Sequence, residues 1–393
     1  MKAKKKVFTR LAVLMLLFMA AAAMAPTASA DWDYYRAIEI DNGKVSGSVD
    51  LSSFPVLINH TADWLKYDNT LGHVRRADGY DIVFTNADNS SLLDFEIEKY
   101  DGTAGTLVAW VRIPTLDYND NTTIRLYYGN SAASDWSNAT GVWDANYTGV
   151  WHLLGDGTTS LPDATSNSNT GTKLTAGPAN TASGQIDGAQ VFAGVVDDYV
   201  DCGDIAAFTT PFSVGGWFKW DSFTDPGALV RRQSPNKGWM LYTGTGQRIY
   251  FFVYGLSPTY VAGPVIELNK WYHIVGTYTG DALKIYVNNI EYSLNTTGTP
   301  IISSANCEIA RYESEKYLDG TTDEVRISAT ARSGDWINTS HNNQDSPSTF
   351  YSVKDTATPT EGTDPVPELP TIILLAVGLV VLAGYVWLRG KNK

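Results

Sequence analysis

From Tyr34 onward the chain runs in short stretches where apolar and polar residues alternate or apolar ones cluster: "YYRAIEI", "DIVFT", "TLVAWVRI", "TIRLYYG", "SVGGWFKW", "RIYFFVYG", "YHIVGTY" and "LKIYVNNIEY". These stretches are rich in Val, Ile, Tyr, Trp and Thr, and clusters of Gly, Asn, Asp and Pro separate them, as expected of β-strands joined by turns. No long 3.6-residue periodicity precedes residue 371. The pattern predicts an all-β fold. Roughly 320 folded residues exceed one sandwich core, so two β-sandwich domains are expected. The seam falls near "GNSAASDWSNATG" at 129–141, giving domains over 31–137 and 138–353.

Two apolar stretches stand apart from this pattern. Lys2, Lys4, Lys5, Lys6 and Arg10 precede "LAVLMLLFMAAAAMA", and Ala28-Ser29-Ala30 follows, so residues 1–30 read as a secretory signal. Near the other end, "TIILLAVGLVVLAGYVWL" at 371–388 carries no charge, and as a helix it would span about 27 Å, enough for one C-terminal transmembrane helix. Arg389, Lys391 and Lys393 make 389–393 a cytoplasmic basic tail and place the bulk of the chain outside, at the cell surface. The Pro- and Thr-rich acidic segment 354–370 reads as a stalk.

The chain has 29 Lys and Arg against 42 Asp and Glu, a net charge of −13. Every acidic residue lies between the two basic ends, so the exported part is more acidic still and repels phosphate backbones; nucleic acid is a poor partner. Sequons at Asn59, Asn89, Asn121, Asn138, Asn146, Asn295 and Asn338 are compatible with a glycoprotein. Cys202 and Cys307, the only cysteines, can close a disulfide outside the cell if their Cα atoms approach within about 7 Å.

The stretches "VFAGVVDDYVDCGD", "PFSVGGWFKW", "NKWYHIVGTYTGDALKIYVNNIEY" and "YLDGTTDEVRISATARSGDWI" resemble, in order and spacing, the laminin-G-like jelly rolls of the concanavalin A-like superfamily. Residues 31–137 resemble an uncharacterised β-domain of prokaryotic surface proteins. The tail, "PELPT" then the apolar run and basic end, is similar to archaeal sorting signals of the Pro-Glu-Phe-Pro-Thr kind, with Leu369 where Phe is usual. What the jelly-roll resemblance implies is a binding or adhesion protein with surface glycans or glycoproteins as partners, and a structural calcium ion. For the ion it points to Asp163 and Asn169 meeting Asp323, with Asp197 and Asp198 as a second pair; carboxylates and carbonyls are the hard oxygen ligands Ca²⁺ takes. The alternative is that each Asp caps a turn or accepts backbone N–H bonds.

Strict alternation puts Asp323 on the same strand face as Val325 and Ile327, where a carboxylate needs a partner. The same rule sets Tyr250, Phe252 and Tyr254 opposite Ile249, Phe251 and Val253, a candidate sugar platform that Trp239, Trp217, Trp220 and Tyr260 would extend. Strand aromatics also commonly fill the core. Glu96 and Glu98 share a strand face, the arrangement a glycosidase pair would need, although a solvated strand face is the simpler reading. The five histidines lie at no helical metal spacing, and there is no nucleophile elbow or P-loop. His152 and His273 sit among apolar strand residues, as core histidines do. Taken together the residues point to a non-catalytic protein.

Overall fold

The computed structural model describes residues 32–359, apart from 68–69, 71, 155–158, 175–178, 182, 206–207, 224–226, 314–315 and 355–357. The expected signal, most of the stalk and the expected membrane helix lie outside the described residues. No described helix is long and apolar enough to cross a membrane. The described chain is nearly all β.

Two sandwiches are present. In the first, a five-stranded sheet built around Tyr34–Ile40 and Thr122–Tyr128 faces a three-stranded sheet of Leu51–Thr61, Thr106–Leu116 and Phe95–Asp101. Alternation works as predicted: Val56, Ile58, Ala109 and Val111 point inward to meet Ile38, Ile40, Ile124 and Leu126. In the second, two eight-stranded antiparallel sheets enclose a larger core containing Phe192, Phe218, Leu241, Phe251, Ile285 and Ile327.

The expected division at residue 353 does not follow the cores. After the strand Asp319–Ser328 the chain forms a helix, Gly334–Asp345, and returns to the first sandwich. There Tyr351–Val353 pairs antiparallel with Ile38–Ile40, completing a sheet edge that would otherwise present unpaired backbone groups. Trp336, Phe350 and Tyr351 are members of the first core. Asn343 brackets Leu57 with two bonds, accepting its N–H at 2.7 Å and donating to its carbonyl at 3.0 Å. The helix gave no apolar signal because its buried residues include Thr339, Ser340, Asn343 and Gln344 beside Trp336 and Ile337. Its start was visible in principle: Ser333 caps it, accepting from Trp336 N at 3.2 Å, with Asp335 in the first turn.

A third apolar cluster joins the sandwiches. Leu57, Val108 and Trp110, on the outer face of the three-stranded sheet, pack with Val142, Trp143, Tyr147, Val150 and Ile186. One outer face of the jelly roll is thereby covered by the first domain.

Candidate functional site

Two regions concentrate chemistry: the open outer face of one jelly-roll sheet and the sealed seam between the domains.

The open face follows from simple alternation. In the strand Arg248–Val253, Ile249, Phe251 and Val253 are buried in the core while Tyr250 and Phe252 are only partly covered. Tyr250 lies directly opposite Tyr242 in the ladder and stacks on it at 5.2 Å between ring centroids. Tyr260 packs edge-on to Tyr250 at 5.6 Å and is 47% exposed, Tyr312 reaches Tyr242 at 5.5 Å, and Tyr254 meets Phe252 at 4.6 Å. The row grades into charge. Arg231, across the ladder from Met240, donates to Glu308 from Nη2 at 2.6 Å, and Arg311 holds the other oxygen of that carboxylate at 2.8 Å. Tyr250, Phe252 and Tyr254 are thus brought together as the alternation predicted, whereas Trp239 is not. It is 3% exposed and turned into the core against Phe212. Trp239 precedes Met240 and shares the parity of Leu241, so the platform face excludes it. Trp217 and Trp220 are likewise buried, and Tyr260 joins the row.

The seam arises from two irregularities. Between Gly215 and Trp217 the ladder with Asp319–Ser328 shifts register, and Glu324 takes up the slack at φ 52°, a bulge in the left-handed region. The bulge changes the parity: Val325 and Ile327 enter the core, while Asp323 pairs opposite Trp217, whose indole N–H donates to Gln344 on the helix at 2.7 Å. Asp323 is therefore not on the face of Val325 and Ile327. A second shift, between Ile97 and Lys99, places Glu98 as the extra residue beside Glu96.

These bulges aim three glutamates at one histidine. His152 Nδ1 lies 2.7 Å from Glu324 Oε1 and 3.5 Å from Glu98 Oε2, and its Nε2 lies 3.3 Å from Glu96 Oε2. Trp110 donates to Glu98 at 2.8 Å and Trp143 to Glu96 at 3.0 Å. Arg326 donates to the second oxygen of Glu324 at 2.6 Å, its guanidinium lying 4.3 Å from the Trp110 ring and 4.7 Å from Trp143. Burial works against charge on His152, yet Glu324, Glu96 and Glu98 hold its imidazole well above the ordinary histidine range. Burial pushes Glu98 up to about 8, and although His152 and Trp110 pull it down, Glu324 and Glu96 add to the rise. Glu324 is held below the usual carboxylate range: burial opposes this, but His152 and Arg326 outweigh it. The expected solvated face for Glu96 and Glu98 is corrected, since their side chains are 16% and 1% exposed under the second domain. His152 is the hub of a charged cluster rather than an ordinary core histidine.

The other candidates lie or bond in turns and loops. Asp163 accepts from the N–H groups of Val150, Thr165 and Asn169 and from the Thr165 hydroxyl, and Asn169 donates to Thr148 O at 2.7 Å. Asp323 Oδ2 accepts from the backbone N–H groups of Gln185 and Ile186 at 2.8 and 3.1 Å, while its Oδ1 is buried with no hydrogen-bond partner among the described residues. Asp198 accepts from Ala193 N, and Asp197 takes a left-handed turn conformation at φ 64°. Among the described residues none of Asp163, Asp323, Asp197 and Asp198 joins two further carboxylate or imidazole ligands; the trio that converges is Glu98, His152 and Glu324. The expected disulfide is also absent. Cys202 and Cys307 sit side by side, joined by a 2.9 Å bond from Cys202 N to Cys307 O, as free buried thiols within the core. Of the sequons, Asn59 uses its amide to reach Ile186 O at the seam, and Asn138 caps the short helix Ala139–Val142 while donating to Asp94.

A family model described as the concanavalin A-like lectin/glucanases superfamily matches residues 192–338, and the second sandwich has that fold. Residues 78–150 match a domain of unknown function, DUF2341, which covers the strands carrying Glu96, Glu98 and Trp110. No curated protein matches. Among solved structures, domain 4 of AbnA, an extracellular arabinanase from Geobacillus stearothermophilus solved with arabinotriose, is similar at 19% identity and TM-score 0.39, over 50% of this chain and 98% of that one. A Trypanosoma rangeli sialidase in complex with sialic acid is similar at 13% identity and TM-score 0.41, over 67% of this chain and 44% of that one. The botulinum neurotoxin serotype G binding domain gives 12%, TM-score 0.40, and 50% of each chain. The chain thus spans half or less of the length of the latter two.

Proposed function

We propose that this chain is a cell-surface, membrane-anchored, non-catalytic protein that binds extracellular glycans on the open face of its jelly roll. The observation that carries the reading is the outward row Tyr242, Tyr250, Phe252 and Tyr260 beside the fixed Arg231–Glu308–Arg311 ion pairs. Sugar rings present C–H faces that stack on aromatic surfaces and hydroxyls that hydrogen-bond to polar groups such as phenol hydroxyls. A row of tyrosines on a rigid sheet supplies both without the entropy of ordering a loop. The basic, apolar and small-residue order of 1–30 and the uncharged run at 371–388 support export and anchoring.

The carboxylates at the seam favour a hydrolase less. Glu96 and Glu98 lie beneath Trp110 and Trp143, and a general acid must reach the leaving oxygen of its substrate. Purified full-length chain, displayed against a glycan array, is expected to bind saturably, with Tyr250→Ala and Tyr242→Ala each weakening binding about tenfold. Binding that survives both substitutions overturns the platform. Absence of any glycan ligand leaves a structural envelope component.

A further inference from the structure

The seam gathers more carboxyl groups than cations among the described residues. Glu96, Glu98, Asp323 and Glu324 lie together, the last two fully buried, against Arg326 and His152 among the described residues. Buried charge of one sign needs compensation by a proton or by a cation. The geometry favours a cation. His152 Nδ1, Glu324 Oε1 and a Glu98 oxygen converge, all within 4.8 Å of one another, and the two distances from Nδ1, 2.7 and 3.5 Å, bracket the roughly 3–3.5 Å between neighbouring ligands of an ion held at about 2.1 Å.

Two further observations point the same way. Glu98 Oε1 is buried with no hydrogen-bond partner among the described residues. On the far side of the ring, Nε2 faces Glu96, whose carboxylate is held in turn by Trp143. A carboxylate on one imidazole nitrogen fixes the tautomer that leaves the other bare, which is how metal-bound histidines are oriented. A cavity of about 50 Å³ adjoins Glu324, lined also by Arg326, Gly216 and Ser340, so the cluster borders unfilled space on its Glu324 side.

We infer that Glu98, His152 and Glu324 form a divalent transition-metal site that clamps the two domains together, with Glu96 as its orienting outer partner. Glu98 belongs to the first domain, and His152 and Glu324 to the second, so the ion bridges the seam. One imidazole with two carboxylates suits Zn²⁺ or Mn²⁺; Ca²⁺ prefers six to eight oxygens. The site is separate from the one the resemblance to jelly rolls implied.

The test uses the full-length chain, stripped with a chelator and dialysed. It is expected to take up one Zn²⁺ per chain by elemental analysis and to melt several degrees higher with Zn²⁺ than without, while equimolar Ca²⁺ changes neither. His152→Ala abolishes uptake. Glu96→Gln keeps all three ligands and is expected to weaken Zn²⁺ binding about 10–100-fold, a readout that does not depend on the His152 variant folding. Uptake well below one equivalent by the wild type, or affinity unchanged in Glu96→Gln, overturns the site and leaves a cluster held by protons.

Discussion

The two sheets of the jelly roll carry aromatic rows on both outer faces, and the rows meet opposite fates. On one sheet Trp217 and His273 face outward from the core and are covered by the helix Gly334–Asp345, with Asp323 and Arg326 beside them under the first domain. On the other, Tyr242, Tyr250, Phe252 and Tyr260 face outward and remain at least partly exposed. The difference lies in what each row can reach. The guanidinium of Arg326 interlocks with Trp110 of the first domain and with Trp143 at the seam, whereas tyrosines present hydroxyls that solvent can satisfy. Outward parity alone does not make a ligand face; a face is open only if no other part of the chain has residues to complete it.

The sharpest way to break this comparison is to remove the cation from the sealed side. Arg326→Ala leaves the second oxygen of Glu324 without its charged partner, with His152 on the first, and leaves two indoles without the guanidinium between them. Breaking one side of a buried pair costs about 3–5 kcal/mol, so urea unfolding should show a loss of that order, with the two domains losing their common transition. A loss under about 1 kcal/mol would mean that the seam is wet and the two faces are alike.

Adjacent residues on the open side sharpen the same contrast. Phe251 is fully buried among Phe212 and the core aliphatics, while Phe252 lies on the outer row. Phe251→Ala is expected to cost about 3–5 kcal/mol. Phe252→Ala should cost less than half as much in stability and act chiefly on glycan binding. Equal losses, read from denaturation midpoints, would place both rings in the core.

Strand parity made much of this legible in advance. Period two alone separates Tyr250 and Phe252 from Ile249, Phe251 and Val253, and the structure settles which of the two faces is outward. The same rule failed at Asp323, because one extra residue at Glu324 inverts every assignment beyond it, and nothing in "TTDEVRIS" marks a bulge: the usual signal, glycine at positive φ, is absent and a glutamate occupies the position. His152 and Glu324 are 172 residues apart, so their bond is set by tertiary packing and leaves no trace in spacing. The returning segment 334–353 escaped for a related reason: a helix that buries amides and hydroxyls against another domain's backbone has no apolar stripe to read.

The smallest effect separates the faces by pH. His273 is buried on the sealed side, against Trp217 at 5.1 Å and His341 at 5.8 Å, with Arg326 nearby. Burial, His341 and Arg326 together hold its imidazole well below the ordinary histidine range, so the folded protein keeps it neutral while the unfolded chain protonates it near pH 6.5. A depressed folded value means that its stabilising contribution is complete above about pH 6.5 and is lost as pH falls from there toward the folded value, at up to about 1.4 kcal/mol per pH unit. In the metal-free chain Glu98 and His152 act with the opposite sign. Their folded values are raised, so their contributions are lost as pH rises, and the net profile of the wild type is flattened. The informative quantity is therefore a difference. His273→Phe, compared with the wild type by urea unfolding at pH 7.5 and pH 5.5, should lose less stability on acidification, because it removes a group that binds its proton only on unfolding. A variant that tracks the wild type at both values would show that His273 is already solvated, and that the sealed sheet is as open to water at its His273 edge as the tyrosine row is on the other.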